Sequence, residues 1–342
     1  MLRLLRTGLV GSALASSPSL LHAATSKADK RPIALLLPLS GPQAELGTSM
    51  ANAASLAQNA GGVLLPLDTQ GTPAGAAAAA KAALGKRAGI ILGPLTAAEV
   101  PAVTVAVAGR VPVVAYTNDS AQRATGAFVF GVTPAQATSA ILRYARTRGI
   151  RSLVAIGDGS PWTQAAATAA RGLEGELGLT VRTMEVQPGQ PLPAAGDAPD
   201  AVLLPGPSAG FLAAAKGLQG TGVQLLGTLQ GIDNSPAALE ALDGAWLASL
   251  DPEKFGGFAG EFVERHGGRP GALAALALDA TNVAMALRSI GRLDRVGLLA
   301  ADPYPGIAGA VRFRTDGSVS RELSIVVARP GGYESVATAT GA

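Results

Sequence analysis

Short apolar segments alternate with helical patterns along most of the chain. The first segment ends at Leu37, and a turn over residues 38–42 leads from it into a helix predicted over residues 43–59. Further strands are predicted over 63–67, 89–92, 111–116, 128–132, 153–157, 180–186, 201–204 and 224–227. Regular alternation of strands and helices is typical of a mainly parallel sheet with helices on its faces. The pattern therefore predicts an α/β protein.

Two segments depart from this alternation. The strands predicted over 311–314 and 323–327 flank Thr315-Asp-Gly-Ser, and an Asp-Gly pair between two strands indicates a β-hairpin. Residues 187–199 are rich in Pro and Gly, which excludes a helix. We expect that segment to be a surface connection between two strands.

Composition indicates a globular protein with an ample core. The chain has 342 residues, of which 48% are hydrophobic and 15% are charged. This length is enough for two domains of about 150 residues each. Cysteine is absent, which excludes disulfides, cysteine metal ligands, a thiol nucleophile and a lipid-modified cysteine.

Residues 1–24 have the features of a cleavable signal peptide. Arg3 and Arg6 precede a short apolar segment, and small residues near Ala23 offer a cleavage site. The alternative is a frayed N-terminal helix. We expect an exported, periplasmic protein without stable membrane insertion, because every apolar run is too short to span a bilayer.

The charge of the mature chain gives no sign of nucleic-acid binding. Removing the two leader arginines from the 27 basic residues leaves 25 against 24 acidic ones, or a net charge of +1. No cluster of Lys and Arg remains that would form a basic patch.

Catalytic motifs are nearly absent. His22 lies in the leader, and His266 lies where a cation caps a helix C-terminus before two glycines. A Ser-His-Asp triad would have to use His266, and a phosphate-binding loop and a cluster of metal ligands are both missing. Gly157-Asp-Gly-Ser-Pro-Trp resembles a dinucleotide turn but lacks the third glycine. We therefore expect a protein that binds a molecule without transforming it, and that needs no cofactor or metal.

Candidate ligand contacts follow the predicted strands of the first half of the chain. Ser40 lies in the turn after the first strand, where the next helix directs free N–H groups toward an anionic group. Thr96 begins a Thr-x-x-Glu capping box, which accounts for it structurally, but its hydroxyl also suits a ligand carboxylate. Thr117, Asn118 and Asp119 follow another strand and are equally consistent with ordinary turn chemistry.

Two further candidates lie in the second half. Trp162 follows the 153–157 strand, where it either packs the first helical turn or closes over the ligand. Gln230 follows the 224–227 strand and is a weaker candidate.

Several motifs together resemble those of type I periplasmic solute-binding proteins of the leucine/isoleucine/valine-binding kind. They include Leu35-Leu-Leu-Pro-Leu-Ser-Gly-Pro, Gly93-Pro-Leu-Thr, Val111-Pro-Val-Val-Ala-Tyr, Asp200-Ala-Val-Leu-Leu-Pro-Gly, Leu278-Asp-Ala and Phe313-Arg-Thr-Asp-Gly, and they span residues 32–329. The resemblance implies two α/β lobes joined by three hinge crossings, with the ligand between them. Lobe 1 would comprise 30–133 and 251–322, and lobe 2 would comprise 134–250 and 323–342.

The resemblance also implies roles for individual residues. Thr96 matches the residue that holds an amino-acid carboxylate, Thr117 and Asp119 match a second ligand loop, and Trp162 matches an aromatic position. The acid that meets the ligand's amino group has no match, since Gln230 lies near its place.

Tyr116-Thr-Asn-Asp and Gly131-Val-Thr-Pro-Ala-Gln look more like the related penicillin-binding protein activators. The first hypothesis is a protein that captures a small polar solute, with an amino acid as one candidate, for an inner-membrane ABC permease. The alternative is a regulator that contacts a cell-wall synthase, which is a penicillin-binding protein.

Overall fold

The structure is a computed structural model that describes residues 28–57, 61–186, 198–206, 209–300 and 302–341. The leader predicted for residues 1–24 lies outside the described residues. So do most of the predicted 187–199 connection and the last residues of the predicted 43–59 helix.

The first sheet has five parallel strands in the order β2-β1-β3-β4-β5. The strands are β1 (Ile33–Leu37), β2 (Leu64–Asp68), β3 (Ile90–Leu92), β4 (Val113–Ala115) and β5 (Phe128–Val129). The central strand β1 is buried along its whole length, which accounts for its uninterrupted apolar sequence.

The second sheet has eight strands in the order β11-β12-β10-β9-β8-β6-β7, with β13 along the free side of β12. The strands are β6 (Ser152–Gly157), β7 (Thr180–Glu185), β8 (Ala201–Leu204), β9 (Gln224–Thr228), β10 (Trp246–Ser249), β11 (Val311–Phe313), β12 (Val319–Arg329) and β13 (Gly332–Gly341). Strands β6 to β10 pair in parallel, whereas β12 pairs antiparallel with β10, β11 and β13.

Helices cover the faces of both sheets. They are α1 (Ala44–Ser55), α2 (Pro73–Gly85), α3 (Val100–Val107), α4 (Pro134–Thr147), α5 (Pro161–Gly172), α6 (Glu174–Leu177), α7 (Ala209–Leu218), α8 (Pro236–Ala241), α9 (Pro252–His266), α10 (Ala272–Ser289) and α11 (Arg295–Leu298). Many begin at a side-chain cap followed by proline, as at Thr72, Thr133, Ser160, Ser235 and Asp251. These sequence signals explain why the helices start where they do.

The predicted α/β fold with two lobes is confirmed. The hairpin also forms as predicted, because Phe313 pairs with Val319 and Gly317 adopts a φ of 81°. Strands β10 and β13 were not predicted. The predicted 128–132 strand ends at Val129, because the chain leaves the first sheet there to cross to the second lobe.

Three connections pass between the lobes. The first is residues 130–133 between β5 and α4, and the second is residues 250–251 between β10 and α9. The third runs through β12. The turn before it meets the first sheet, where the Gly317 carbonyl accepts the Val129 N–H at 2.9 Å, and the later residues of β12 pair with β10 in the second sheet. The boundary between residues 322 and 323 therefore falls inside a strand, and the exact lobe limits stay a prediction.

Candidate functional site

A cavity of about 300 Å³ lies between the lobes, where the carboxyl ends of β3 and β4 face the turn after β9. We call it the cleft cavity. Its lining residues are Leu95, Thr96, Ala97, Tyr116, Thr117, Asn118, Gly131, Val132, Leu229, Gln230, Leu250, Ala272, Leu273 and Leu276. The carboxyl ends of parallel strands are where open α/β sheets bind ligands, so this is the candidate site.

Thr96 lies on the first wall of the cleft cavity. The carboxylate of Glu99 accepts hydrogen bonds from the Thr96 backbone N–H (2.9 Å) and from the Thr96 hydroxyl (2.7 Å) through the same oxygen, Oε2. The predicted capping box is therefore present. A hydroxyl can donate one hydrogen bond, and the Thr96 hydroxyl donates it to Glu99. Towards the cavity, the Thr96 oxygen can therefore act only as an acceptor.

Thr117 has the complementary arrangement. Its hydroxyl oxygen accepts the backbone N–H of Asp119 at 3.1 Å, which leaves the hydroxyl proton available for a ligand acceptor. The neighbouring Asn118 is exposed and adds an amide with both donor and acceptor atoms. One wall therefore offers an acceptor at Thr96 and donors at Thr117 and Asn118.

Tyr116 forms part of the cavity floor. Its hydroxyl is fully buried and has no hydrogen-bond partner among the described residues. Burial raises the pKa of this phenol well above its usual range, and the nearby charge of Asp279 acts in the same direction. The hydroxyl therefore stays protonated and uncharged.

The second lobe contributes Leu229 and Gln230, which follow β9 in a 3₁₀ turn over Leu229–Gly231. The turn is held by Thr228, whose hydroxyl donates to the Pro205 carbonyl at 2.6 Å. Gln230 is exposed, so its amide is free to meet a ligand from the side opposite Thr96.

The hinge is held by a buried arginine below the cavity. Arg321 on β12 donates to the carbonyl oxygens of Phe130 (2.9 Å) and Ala308 (3.1 Å), and its guanidinium lies over the Phe130 ring. Burial lowers the pKa of Arg321 to about 10, although the charge of Asp279 opposes the shift. These contacts tie the first crossing to the third.

Three of the predicted ligand residues do not line the cleft cavity. The Ser40 hydroxyl donates to Asp68 Oδ2 at 2.6 Å, and Asp68 Oδ1 accepts the N–H groups of Leu39 and Ser40. Asp68 therefore already uses the hydroxyl and the backbone N–H of Ser40, and contact of Ser40 with a ligand stays a prediction. Asp119 caps the 3₁₀ helix over Ser120–Thr125, and its carboxylate accepts a hydrogen bond from the side-chain amide of Gln122.

Trp162 is the third of these residues. Its indole N–H donates to the Pro205 carbonyl at 2.7 Å, and its ring packs against the hydrophobic core. Pro205 thus fixes both Trp162 and the turn that follows β9. Of the seven predicted residues, the cleft cavity brings together Thr96, Thr117, Asn118 and Gln230, and their contact with a ligand stays a prediction.

Sequence reasoning missed the apolar part of the cavity. Leu250 lies in the second crossing, and Ala272, Leu273 and Leu276 lie on the first two turns of α10. A lone apolar run gives no signal of this role, because such residues are normally core. Only the packing of α10 against α1 places its N-terminus at the cavity.

Among the described residues that line the cleft cavity, none carries a formal charge. Gln230, which the sequence resemblance puts near the place of the acid that meets a ligand's amino group, is itself uncharged. Within the described ranges there is also no group of three or more His, Cys, Asp or Glu side chains that could hold a metal. No helix in the described part of the chain is long and apolar enough to cross a membrane.

Comparison with known proteins agrees with this geometry. The profile of a family described as periplasmic binding proteins matches residues 31–333. No curated protein sequence matches the chain significantly.

Solved structures share the fold at low sequence identity. A crystal structure from Rhodospirillum rubrum, assigned to a branched-chain amino acid ABC transporter, has a TM-score of 0.77 and 21% identity, covering 90% of this chain and 100% of that one. A leucine-, isoleucine-, valine-, threonine- and alanine-binding protein from Brucella ovis in a closed conformation has a TM-score of 0.66 and 18% identity, covering 92% and 96%. The LpoA C-domain from Haemophilus influenzae, a regulator of PBP1A, has a TM-score of 0.70 and 16% identity, covering 90% and 100%.

The family match covers most of the chain, and both lobes and the cleft lie within the matched residues. The chain belongs to the periplasmic binding protein family.

Proposed function

We propose that the protein captures a small, polar, uncharged solute in the cleft cavity and delivers it to an inner-membrane ABC permease. The observation that carries this proposal is a cavity of about 300 Å³ with polar groups from both lobes and no charged side chain among its described lining residues. The protein has no enzymatic role in this proposal. The predicted signal peptide would place it in the periplasm.

The uncharged lining favours an uncharged solute over a zwitterionic amino acid. Burying an ammonium group without a carboxylate partner carries a large desolvation cost. The Thr96 hydroxyl can accept a hydrogen bond from the ligand and the Thr117 hydroxyl can donate one. The side-chain amides of Asn118 and Gln230 can do both. This arrangement suits hydroxyl and amide groups of an uncharged solute.

Ligand capture would be coupled to movement of the lobes. Thr96 and Thr117 lie on one wall of the cavity, while Leu229 and Gln230 lie on the other. A solute that contacts both walls binds the closed arrangement more tightly than the open one, and so shifts the population toward closure. A permease can then distinguish loaded from empty protein.

A thermal-shift screen tests the proposal. The chain from Thr25 would be heated with uncharged polyols and amides, amino acids, small peptides and cell-wall fragments. A ligand at 100 times its Kd should stabilise the protein by about 2.7 kcal/mol. In Thr117→Val we expect at least about tenfold weaker binding of the hit, because a buried ligand acceptor loses its donor.

Thr168→Val is the matched control, because Thr168 lies exposed on α5 away from the cavity. It should bind the hit as wild type does. Binding of the hit that is unchanged in Thr117→Val would remove the cleft cavity as the site.

The second candidate is an activator-like regulator that contacts a penicillin-binding protein. The shared fold of the Haemophilus influenzae regulator and the uncharged cleft both favour testing it. If no compound shifts the unfolding temperature, and the protein is retained by an immobilised penicillin-binding protein, this function replaces the first.

A further inference from the structure

A second cavity of about 450 Å³ adjoins the cleft cavity. Leu229, Leu250 and Ala272 line both, so the two spaces meet at the second crossing. We call the second space the aromatic compartment, because Phe255 and Tyr333 form part of its walls. No pattern in the sequence indicates this compartment.

The walls of the aromatic compartment come from both sides of the hinge. Phe255 lies in the first turn of α9, where its ring makes an edge contact with Phe258 at a centroid distance of 5.8 Å. Tyr333 lies on β13 in the second sheet, and its backbone is fixed by pairing with Ala328. A molecule in this space would therefore touch elements on either side of the second crossing.

The compartment is mainly apolar. The Tyr333 hydroxyl donates to the Asp233 carbonyl at 2.9 Å and accepts the Asp233 N–H at 3.1 Å. The Tyr333 hydroxyl therefore makes its hydrogen bonds to the neighbouring loop. The aromatic ring is the part of Tyr333 that can contact a molecule in the compartment. Asn234 and Ser249 are the polar side chains in the wall, and none of the described lining residues is charged.

We propose that the aromatic compartment holds an apolar extension of the solute whose polar group lies in the cleft cavity. The ligand class is then an uncharged amphiphile, with a hydrogen-bonding head and an aliphatic or aromatic tail. The inference rests on the proposed function and deepens it. A compact polar solute would fill only the cleft cavity and leave the adjoining apolar surface in contact with water.

The test uses a homologous series of straight-chain primary amides, from propanamide to octanamide, whose binding is measured by calorimetry. The probe N-phenyl-1-naphthylamine, which is uncharged and fluoresces in apolar surroundings, reports the compartment directly. We expect Kd to fall about fourfold for each added methylene until the compartment is filled, as complete burial of a CH₂ predicts. The longer amides should displace the probe and the shorter ones should not.

Two substitutions of Phe255 distinguish loss of the apolar wall from a general effect of changing this residue. They are Phe255→Asn, which makes the wall polar, and Phe255→Leu, which keeps it apolar. We expect Phe255→Asn to flatten the dependence on chain length and to weaken probe binding at least about tenfold, while Phe255→Leu preserves both. Val105→Ser is the control for nonspecific adhesion of the probe, because Val105 is 79% exposed on α3. It should leave probe binding unchanged.

The outcomes distinguish the two proposals. If short amides bind and Kd does not change with chain length, the extension is wrong and the proposed function stands. If binding of the probe is saturable and is weakened by Phe255→Asn, while no amide binds, the aromatic compartment is a binding site and the proposed polar site is wrong. If the probe is not saturable, or is unaffected by Phe255→Asn, the compartment is wrong.

Discussion

Arg321 Nη1 lies 4.0 Å from Asp279 Oδ2, and both side chains are fully buried beside the hinge. Asp279, on α10, also accepts the backbone N–H groups of Ile307 (2.7 Å) and Ala308 (2.9 Å). Arg321 holds the carbonyl of Phe130 in the first crossing. These two side chains therefore connect α10 to the first and third crossings between the lobes.

Replacing Arg321 by Met should destabilise the protein by about 3–5 kcal/mol, because Asp279 is left as a buried charge without its partner. The free energy of unfolding in urea measures this loss. Arg123→Met is the control, since Arg123 forms an exposed pair with Asp316 and should cost about 1 kcal/mol or less.

The double variant Arg321→Met/Asp279→Leu should lose less than the sum of the two single losses, because neither charge is then buried alone. It should not regain wild-type stability, because the backbone groups of Phe130, Ile307 and Ala308 lose their side-chain partners. A double variant that loses the sum of the two single losses would show that the two charges act independently.

Asp68 should make stability depend on pH. Burial opposes its ionisation, but hydrogen bonds from the Ser40 hydroxyl and three backbone N–H groups hold its pKa below the usual 3.8. A carboxyl with a lowered folded pKa stabilises the protein above the unfolded pKa, and this stabilisation is lost as pH falls through the folded pKa.

We expect Asp68→Asn to cost about 1 kcal/mol at pH 7, because the site is near the surface. The difference from wild type should narrow as pH falls below 3.8. Urea unfolding at a series of pH values measures it, with the exposed Asp243→Asn as control. A difference that is constant with pH would contradict the role given to the ionised carboxylate.

Trp162 should be structural. Trp162→Phe removes the hydrogen bond from the indole to Pro205 and should lower the free energy of unfolding by about 1 kcal/mol or slightly more. The affinity for a solute should not change, because Trp162 does not line the cleft cavity. Trp246→Phe is the matched control for spectroscopic readouts. Weaker solute binding by Trp162→Phe at unchanged stability would instead support the aromatic ligand contact expected from the sequence.

Gly131 is required by close packing at the first crossing. A Cβ at this position would clash with the carbonyl oxygens of Tyr116 and Thr117, which are backbone atoms of the cleft floor. Gly131→Ala should therefore cost about 1–3 kcal/mol and should weaken solute binding. Gly260→Ala, in an open position within α9, should be neutral or stabilise by up to about 1 kcal/mol. Equal effects of the two substitutions would argue against the close approach.

The sequence predicted local features that depend on a few neighbouring residues. The capping box from Thr96 to Glu99 and the Asp316-Gly317 hairpin both formed, because each is fixed by hydrogen bonds within a few positions. Apolar segments likewise predicted most strands, and helices form between the strands as the alternation predicted. The order of the motifs predicted the family and the two-lobed fold.

Features that depend on distant contacts were not predictable. Nothing near Ser40 shows that Asp68 of the adjacent strand takes its hydroxyl, and nothing near Trp162 shows that Pro205 takes its indole. The sequence of α10 likewise does not indicate that its first turns line a cavity.

The sequence by itself determined most of the elements, their order and the donor and acceptor types of the candidate side chains. Tertiary structure alone decided which polar groups remain free for a ligand and which are used internally. The physical reason is that a side chain's hydrogen-bonding capacity is fixed by its type, whereas its partners come from segments that only packing brings together.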